Sequence, residues 1–256
     1  TEKDKMRAII LAAGLGWRLG GGEELLPKCL LEFDGRSLLH RHLDALSALG
    51  IQDVTIGVGY RAESVEQEIA RIAPRLPVQL VFNPDFRDGN IVTLHTLSAV
   101  MNAGDDVLLM DADVLYHPDL LAQLAASGHA NCFLLDRDFE AGDEPVKLCV
   151  DQGCLVEFGK QIAPGLRYDT VGESVGFFKL SASMAQRLAR QAAQYVDDGR
   201  RDAFYEDALR DLLLSDPRAF ALEDITGIPW IEIDFQQDIR RAEDEVLAHI
   251  RARQAA

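Results

Sequence analysis

The sequence predicts an α/β protein whose mainly parallel sheet is covered by helices on both faces. Short apolar runs rich in β-branched residues alternate with amphipathic segments of about ten residues through the amino-terminal half. Crossovers of that length join parallel strands, and helices then cover both faces of the sheet. Because 48% of the 256 residues are hydrophobic, the chain can bury one large core.

The amino-terminal half carries the clearest alternation. A glycine-rich loop, 14–22, follows the first strand, and Asp111-Ala112-Asp113 follows the fourth. Ligands bind beyond the carboxyl ends of parallel strands, so both segments belong at one ligand-binding edge. We expect strands at 7–13, 54–58, 78–82 and 107–110, and helices at 37–49, 62–72 and 90–101.

After Pro118 the pattern changes to a mixture of strands and longer helices. No repeat, low-complexity tract or linker interrupts the chain, which favours a single domain over residues 1–256 with a mixed-sheet insertion. We expect strands at 130–136, 146–158 (with a hairpin turn at 151–153), 175–180 and 230–233, and helices at 183–196, 203–214 and 237–253.

Composition excludes several classes of protein. A formal charge of -16 argues against nucleic acid as a partner, because that affinity depends on Lys and Arg displacing counterions. No apolar run reaches the roughly 18 residues that a membrane span needs, and a charged leader precedes the first strand, so we expect a cytoplasmic protein without a signal peptide. Reduced, buried thiols are expected for the four scattered cysteines, Cys29, Cys132, Cys149 and Cys154.

The most specific motif is LAAGLGWRL at 11–19, followed by LPKCL at 26–30. Glycines after a strand let backbone N–H groups approach a phosphate, and Arg18 and Lys28 add positive charge where pyrophosphate would depart. A glycine-rich turn alone is weak support for function, but the second basic segment strengthens it. A dinucleotide-binding dehydrogenase is disfavoured because the third glycine of GxGxxG is absent.

Other motifs follow in order: LVFN at 80–83, GN at 89–90, MDAD at 110–113, VGFFKLS at 175–181 and WIEID at 230–234. Together with LAAGxGxRL…PKxL, they resemble the sugar-phosphate and alcohol-phosphate nucleotidyltransferase superfamily, in particular its cytidylyltransferase branch. The resemblance implies a Rossmann-like (GT-A type) three-layer sandwich with a mainly parallel mixed sheet and a small mixed-sheet acceptor-binding insertion. Residues 6–118 would form the nucleotide-binding half, and 119–256 the acceptor-binding and closing half.

The same resemblance implies a function. It is the magnesium-dependent transfer of CMP from CTP to phosphocholine, aminoethylphosphonate, inositol phosphate or a similar small acceptor, with release of pyrophosphate. Its partners would be that acceptor and CTP or another NTP. A homodimer is also compatible with the sequence. A uridylyl- or guanylyltransferase acting on a sugar 1-phosphate is the alternative, since the amino-terminal motif is shared. A non-catalytic regulator on the same fold is disfavoured because Lys28 and both acidic motifs are retained.

Arg18 and Lys28 are the predicted catalytic residues, acting on the triphosphate. Mg2+ prefers carboxylate oxygens, so Asp111, Asp113 and Asp234 are its candidate ligands. The resemblance implies that Asp234 holds the metal ion together with either Asp111 or Asp113. Two further acids near the phosphate loop, Glu23 and Glu24, would repel a triphosphate unless they point away or attract magnesium.

The remaining predicted site residues divide between the two substrates. Glu173 stands out on the acceptor side, as a polar residue at the entrance to a strand. Aromatic and acidic side chains there would suit an ammonium group, whereas a polyol would use hydrogen bonds from the same groups. The predicted nucleotide-binding residues are Leu11, Ala12, Ala13, Gly14, Gly16, Asn83, Gly89, Asn90 and Asp111, and the acceptor-binding residues are Lys147, Glu173, Tyr205 and Glu206.

Overall fold

A computed structural model describes residues 5–20 and 25–255. The strands are β1 (Met6–Ala12), β2 (Glu32–Phe33), β3 (Arg36–Ser37), β4 (Val54–Val58), β5 (Val78–Phe82), β6 (Asp106–Asp111), β7 (Val114–Tyr116), β8 (Cys132–Asp136), β9 (Lys147–Asp151), β10 (Cys154–Gly159), β11 (Thr170–Leu180), β12 (Ala221–Asp224) and β13 (Trp230–Glu232). The helices are α1 (Leu38–Ala48), α2 (Ala62–Ile72), α3 (Asn90–Thr96), α4 (Ser98–Met101), α5 (Pro118–Ala126), α6 (Ala182–Asp197), α7 (Tyr205–Ser215), α8 (Gln236–Arg241) and α9 (Leu247–Gln254).

Nine of the described strands form one sheet, in the order β10-β9-β11-β6-β1-β4-β5, with β8 beside β11 and β12 beside β8. The four strands β6, β1, β4 and β5 are parallel, as the sequence predicts. From β11 onward the sheet is mixed, because β11 runs antiparallel to β6, β8 and β9. The strands of the predicted insertion therefore extend the central sheet rather than forming a separate one.

Helices cover both faces of this sheet. Successive side chains of a strand point to opposite faces, and Ile10 accordingly packs in one apolar cluster while Ile9 packs in the other. Leu43 of α1 and Leu120 of α5 belong to the first cluster, whereas Leu188 of α6 belongs to the second. The predicted three-layer α/β architecture is confirmed.

Several elements differ from the prediction. The helix expected at 90–101 is divided at Leu97 into α3 and α4, where the hydroxyls of Thr96 and Ser98 bind backbone carbonyls at 2.8 and 2.5 Å. The closing helix is interrupted by a π turn at Ala242–Val246. The sequence did not predict α5, although Pro118 occupies its first turn and His117 accepts a hydrogen bond from the Asp119 N–H at 3.1 Å.

The four cysteines are free, but the expectation that all are buried is wrong for one of them. Cys154 is exposed because it begins β10 directly after the hairpin turn, while Cys29, Cys132 and Cys149 are buried. Among the described residues, no helix has the length and apolar composition that crossing a membrane requires.

One glycine allows β11 to pass the end of β6. Gly176 has a φ of +78°, and a Cβ there would lie 2.2 Å from the Oδ2 atom of Asp111. The pairing of β11 with β8 also shifts register between Ser174 and Phe178. A residue with a side chain at position 176 would therefore be strained twice, by its backbone conformation and by the Asp111 carboxylate.

We expect Gly176→Ala to lower the free energy of unfolding by about 1–3 kcal/mol more than Gly104→Ala does. Gly104 is the matched control because its φ is +92° and no atom lies within 4 Å of its added Cβ. The difference between the two variants in urea denaturation then measures the steric contact with Asp111. Equal losses would show that Asp111 moves aside without cost.

Candidate active site

A cleft of about 1470 Å³ lies at the carboxyl ends of β1 and β6. Both halves of the chain line it: residues 11–18 and 86–90 from the first half, and residues 158–164 and the start of α7 from the second. The glycine loop and Asp111-Ala112-Asp113 share this cleft, as their positions after parallel strands predict. The volume is sufficient for a nucleotide and a second small molecule.

After β1 the chain turns at Gly16, which lies beside the Lys28 side chain. Gly16 has a φ of +63° and precedes the single helical turn Trp17–Leu19. A Cβ at Gly16 would lie 3.2 Å from the Lys28 Cγ atom, so glycine provides the room for this side chain. The predicted nucleotide-binding residues Leu11, Ala12, Ala13, Gly14 and Gly16 all line the cleft.

Lys28 lies between two aspartates. Its Nζ atom donates to Asp113 Oδ2 at 2.8 Å and to Asp234 Oδ1 at 2.5 Å. Burial lowers the pKa of Lys28, but the two carboxylates more than offset this and hold it above its usual value. Arg18 also reaches Asp234, at 3.4 Å, and Glu144, at 3.3 Å. Both predicted basic residues therefore contact Asp234 of the WIEID segment at 230–234.

Three carboxylates form a group that could hold a metal ion. Oxygen atoms of Asp113, Glu232 and Asp234 lie within 4.8 Å of one another, the one such group found in the described residues. The donor set fits Mg2+, which prefers carboxylate oxygens, and the ammonium of Lys28 already lies between two members. Sequence reasoning missed Glu232, although its alternation with Asp234 along the strand was a usable signal.

Asp111, the third predicted metal ligand, lies outside this group. Its Oδ2 atom accepts a hydrogen bond from the hydroxyl of Tyr205 at 2.9 Å. Burial, and after it the nearby charges of Glu206, Asp113 and Glu232, raise the pKa of Asp111 well above its usual value. Asp111 lines the cleft, but this contact with Tyr205 holds it at the base of α7.

The start of α3 contacts the start of α7. Asn90 accepts the Tyr205 backbone N–H at 2.7 Å and donates to Glu206 at 3.4 Å. The Gly89 N–H donates to the Arg201 carbonyl at 2.7 Å. Burial raises the pKa of Glu206 to about 7. Gly89 and Asn90, predicted to bind the nucleotide, therefore line the same part of the cleft as Glu206, predicted to bind the acceptor.

Four predicted binding residues do not line the cleft. Asn83 is buried and binds Thr93 at 3.0 Å, and Lys147 donates to the Lys160 carbonyl at 2.7 Å. Tyr205 is fully buried against Asp111, and Glu173 lies on β11 opposite Asp136. The polar groups of Asn83, Lys147 and Tyr205 make hydrogen bonds within the fold. Glu23 and Glu24 lie outside the described residues.

The charged side chains of the cleft include several that no motif marks. Lys160 binds Glu144 at 3.0 Å, and Arg201 binds Asp85 and Asp88 at 2.8 and 2.7 Å. The wall therefore combines cations suited to phosphate with a larger number of acids. The basic residues are Arg18, Lys28, Arg87, Lys160, Arg201 and Arg210; the acidic ones are Asp88, Asp111, Asp113, Glu144, Asp202, Glu206, Asp207, Glu232 and Asp234.

A glycine loop with two basic side chains, facing a group of carboxylates at the edge of a parallel sheet, defines a nucleotide-binding α/β protein of the phosphoryl-transfer class. Within that class, residues 8–206 match the MobA-like NTP transferase domain, and the chain belongs to this family.

Two individual proteins are similar to this chain over more than nine tenths of its length. The chain is 28% identical over 247 residues to the CMP-5'-(3-aminopropyl)phosphonate synthase of Streptomyces rubellomurinus, covering 93% of this chain and 38% of that protein. It is 31% identical over 250 residues to the bifunctional IPC transferase and DIPP synthase of Rubrobacter xylanophilus, covering 96% and 53%. The chain thus spans between about two fifths and half the length of these relatives.

The fold is also that of a solved structure. The CTP:phosphocholine cytidylyltransferase from Streptococcus pneumoniae superposes with a TM-score of 0.71 at 22% identity, covering 94% of this chain and 98% of that one. This likeness confirms the Rossmann-like arrangement that the sequence motifs implied.

The ionisation of Glu173 makes the stability of the fold depend on pH. Burial, reinforced by the charge of Asp136, raises its pKa to about 7, although Arg241 and Lys147 act in the opposite direction. Because the folded pKa lies above that of the unfolded chain, ionising Glu173 destabilises the fold increasingly as the pH rises from about 4.5 to about 7.

We expect Glu173→Gln to gain about 1–3 kcal/mol of stability relative to the parent protein between pH 5 and pH 8, since the amide cannot ionise. Urea denaturation at the two pH values measures the gain. Glu66→Gln, on an exposed face of α2, is the control and should show no such difference. A Glu173→Gln effect that is identical at both pH values would contradict the expectation.

Proposed function

We propose that this chain is a magnesium-dependent nucleotidyltransferase that moves CMP from CTP to a small phosphate or phosphonate and releases pyrophosphate. One observation carries the proposal: Lys28 of the amino-terminal motif contacts Asp113 and Asp234, so the basic and acidic motifs share one cleft. Membership of the MobA-like NTP transferase family supports the class of reaction.

In the proposed reaction, an oxygen of the acceptor's phosphate or phosphonate attacks the α-phosphorus of CTP. The bond from that phosphorus to the oxygen bridging the β-phosphate breaks, and pyrophosphate leaves with the electron pair. The acceptor oxygen is already an anion at neutral pH, so no side chain has to remove a proton. Catalysis then depends on alignment and charge neutralisation, which Lys28 and Arg18 provide at the triphosphate.

Asp113, Glu232 and Asp234 would hold the magnesium ion, which when bound neutralises charge on the phosphate oxygens. In this assignment Asp111 lies outside the metal site, where it accepts a hydrogen bond from the Tyr205 hydroxyl. Glu232, which the sequence motifs did not single out, becomes the third ligand.

The choice of CTP and of acceptor follows the relatives. The name of the Streptomyces protein specifies a CMP-activated aminoalkylphosphonate, and the solved structure with the same fold uses phosphocholine. Acids outnumber basic residues in the cleft wall, which favours an acceptor that carries an ammonium group beside its phosphorus. Glu206 lines the cleft and is the acceptor-binding residue we propose for that group.

Pyrophosphate release tests the proposal directly. Each of the four NTPs is incubated with magnesium and a panel of acceptors: 3-aminopropylphosphonate, 2-aminoethylphosphonate, phosphocholine, inositol 1-phosphate and hexose 1-phosphates. We expect release with CTP and a non-hexose acceptor at least about tenfold faster than with any other NTP. Release mainly with UTP or GTP and a hexose 1-phosphate would replace the proposal by the sugar-nucleotide alternative.

We expect Lys28→Ala and Asp234→Ala each to lower turnover by about 100-fold or more, because each removes charge aimed at the triphosphate or its metal ion. Circular dichroism should show that both variants remain folded. Lys5→Ala is the matched control, since Lys5 is an exposed lysine that pairs with Asp53 and Asp105. Turnover near the parent rate in either cleft variant would reject the assigned roles.

A further inference from the structure

The ammonium of Lys28 contacts two of the three carboxylates that could hold a metal ion. Its Nζ atom is 2.8 Å from Asp113 Oδ2 and 2.5 Å from Asp234 Oδ1, and these two residues are members of the carboxylate group that includes Glu232. We propose that Lys28 occupies the metal position in the nucleotide-free protein, so that a divalent ion binds firmly only after nucleotide phosphates draw the ammonium away. This inference rests on the proposed function.

The two cations compete because both draw on the carboxylates of Asp113 and Asp234. Mg2+ coordinates oxygen at about 2.1 Å, whereas the ammonium holds one oxygen of Asp113 and one of Asp234 in hydrogen bonds. A divalent ion placed among these carboxylates would also lie within a few ångströms of the positive charge of Lys28, and the two would repel each other. Lys28 must therefore leave before the three carboxylates can enclose an ion.

Hydrogen bonds fix the backbone at Asp113 and Asp234, whereas the Lys28 side chain has four rotatable bonds. The Ile233 N–H donates to the Asp113 carbonyl at 2.9 Å, and the Asp234 N–H donates to Asp238 at 3.0 Å. Lys28 instead reaches the site through a flexible four-carbon stem that passes Gly16, where no side chain obstructs it. Gly14 and Gly16 line the same cleft, so a phosphate bound on the glycine loop would offer the ammonium a second partner.

Lys28 also offsets repulsion among the three carboxylates. Without its charge, Asp113, Glu232 and Asp234 would repel one another, since Asp234, at 3.4 Å, is the one member of this group that Arg18 contacts in the described residues. Removing the lysine should therefore weaken the fold of the metal-free protein and at the same time free the carboxylates for a metal ion. A residue that only binds nucleotide would produce neither change.

The test measures the binding of Mn2+ to the nucleotide-free protein. The electron paramagnetic resonance signal of free Mn2+ reports how much of the ion remains unbound. We expect Lys28→Met to bind Mn2+ at least about tenfold more tightly than the parent protein, because the competing charge is gone. The double variant Lys28→Met/Asp234→Asn should lose that gain, which locates the ion at this site. Lys5→Met is the control for removing a distant lysine and should bind as the parent protein does.

Thermal unfolding provides a second readout that does not depend on activity. Without metal, Lys28→Met should melt below the parent protein, and a saturating concentration of Mn2+ should raise its midpoint by more than it raises the parent's. Equal Mn2+ affinity of the parent and Lys28→Met would overturn the inference, as would a gain that survives Asp234→Asn. In either case, release of pyrophosphate from CTP by the parent enzyme would leave the proposed function standing.

Discussion

The contact of Lys28 with Asp113 and Asp234 joins parts of the chain that are 85 and 206 positions apart, and the geometry of the cleft depends on it. The supporting framework is a short antiparallel pair, in which Glu232 of β13 lies opposite Val114 of β7. Because β7 begins directly after Asp113, this pair brings the late acids beside the end of β6. The central sheet fixes one side of the site, and the small pair fixes the other.

Sequence patterns predicted the parts of the fold that periodicity determines. β4 and β5 match their predicted limits, and both begin and end where apolar runs do. β7 has three residues and β12 has four, which is too short for alternation to be recognised. Their existence depends on partners far along the chain, since β12 pairs with β8. Tertiary contacts therefore determine what the local pattern leaves undefined.

The site residues also fall into two groups: those that a motif predicts, and those whose role depends on their neighbours in the folded protein. Motif resemblance predicted Lys28, Asp113 and Asp234 as site residues, and the structure brings these three side chains into contact. The resemblance also proposed Asn83, whose amide and carbonyl groups instead bind Thr93 and the Asp85 N–H, at 3.0 and 2.9 Å. The role of such a buried polar group depends on which neighbours satisfy it, and those neighbours are known only from the folded structure.

A close backbone contact in the cleft wall links the segment before α3 to the segment before α7. A Cβ on Gly89 would lie 2.2 Å from the Ala203 carbonyl, and Arg201 binds acids on the same loop that Gly89 ends. The segment before α7 and the segment before α3 thus share a wall with no space between them. Under the proposed assignment of the two segments to nucleoside and acceptor, a change that makes room for a bulkier acceptor would also displace the segment beside the nucleoside, so the two substrate preferences would change together.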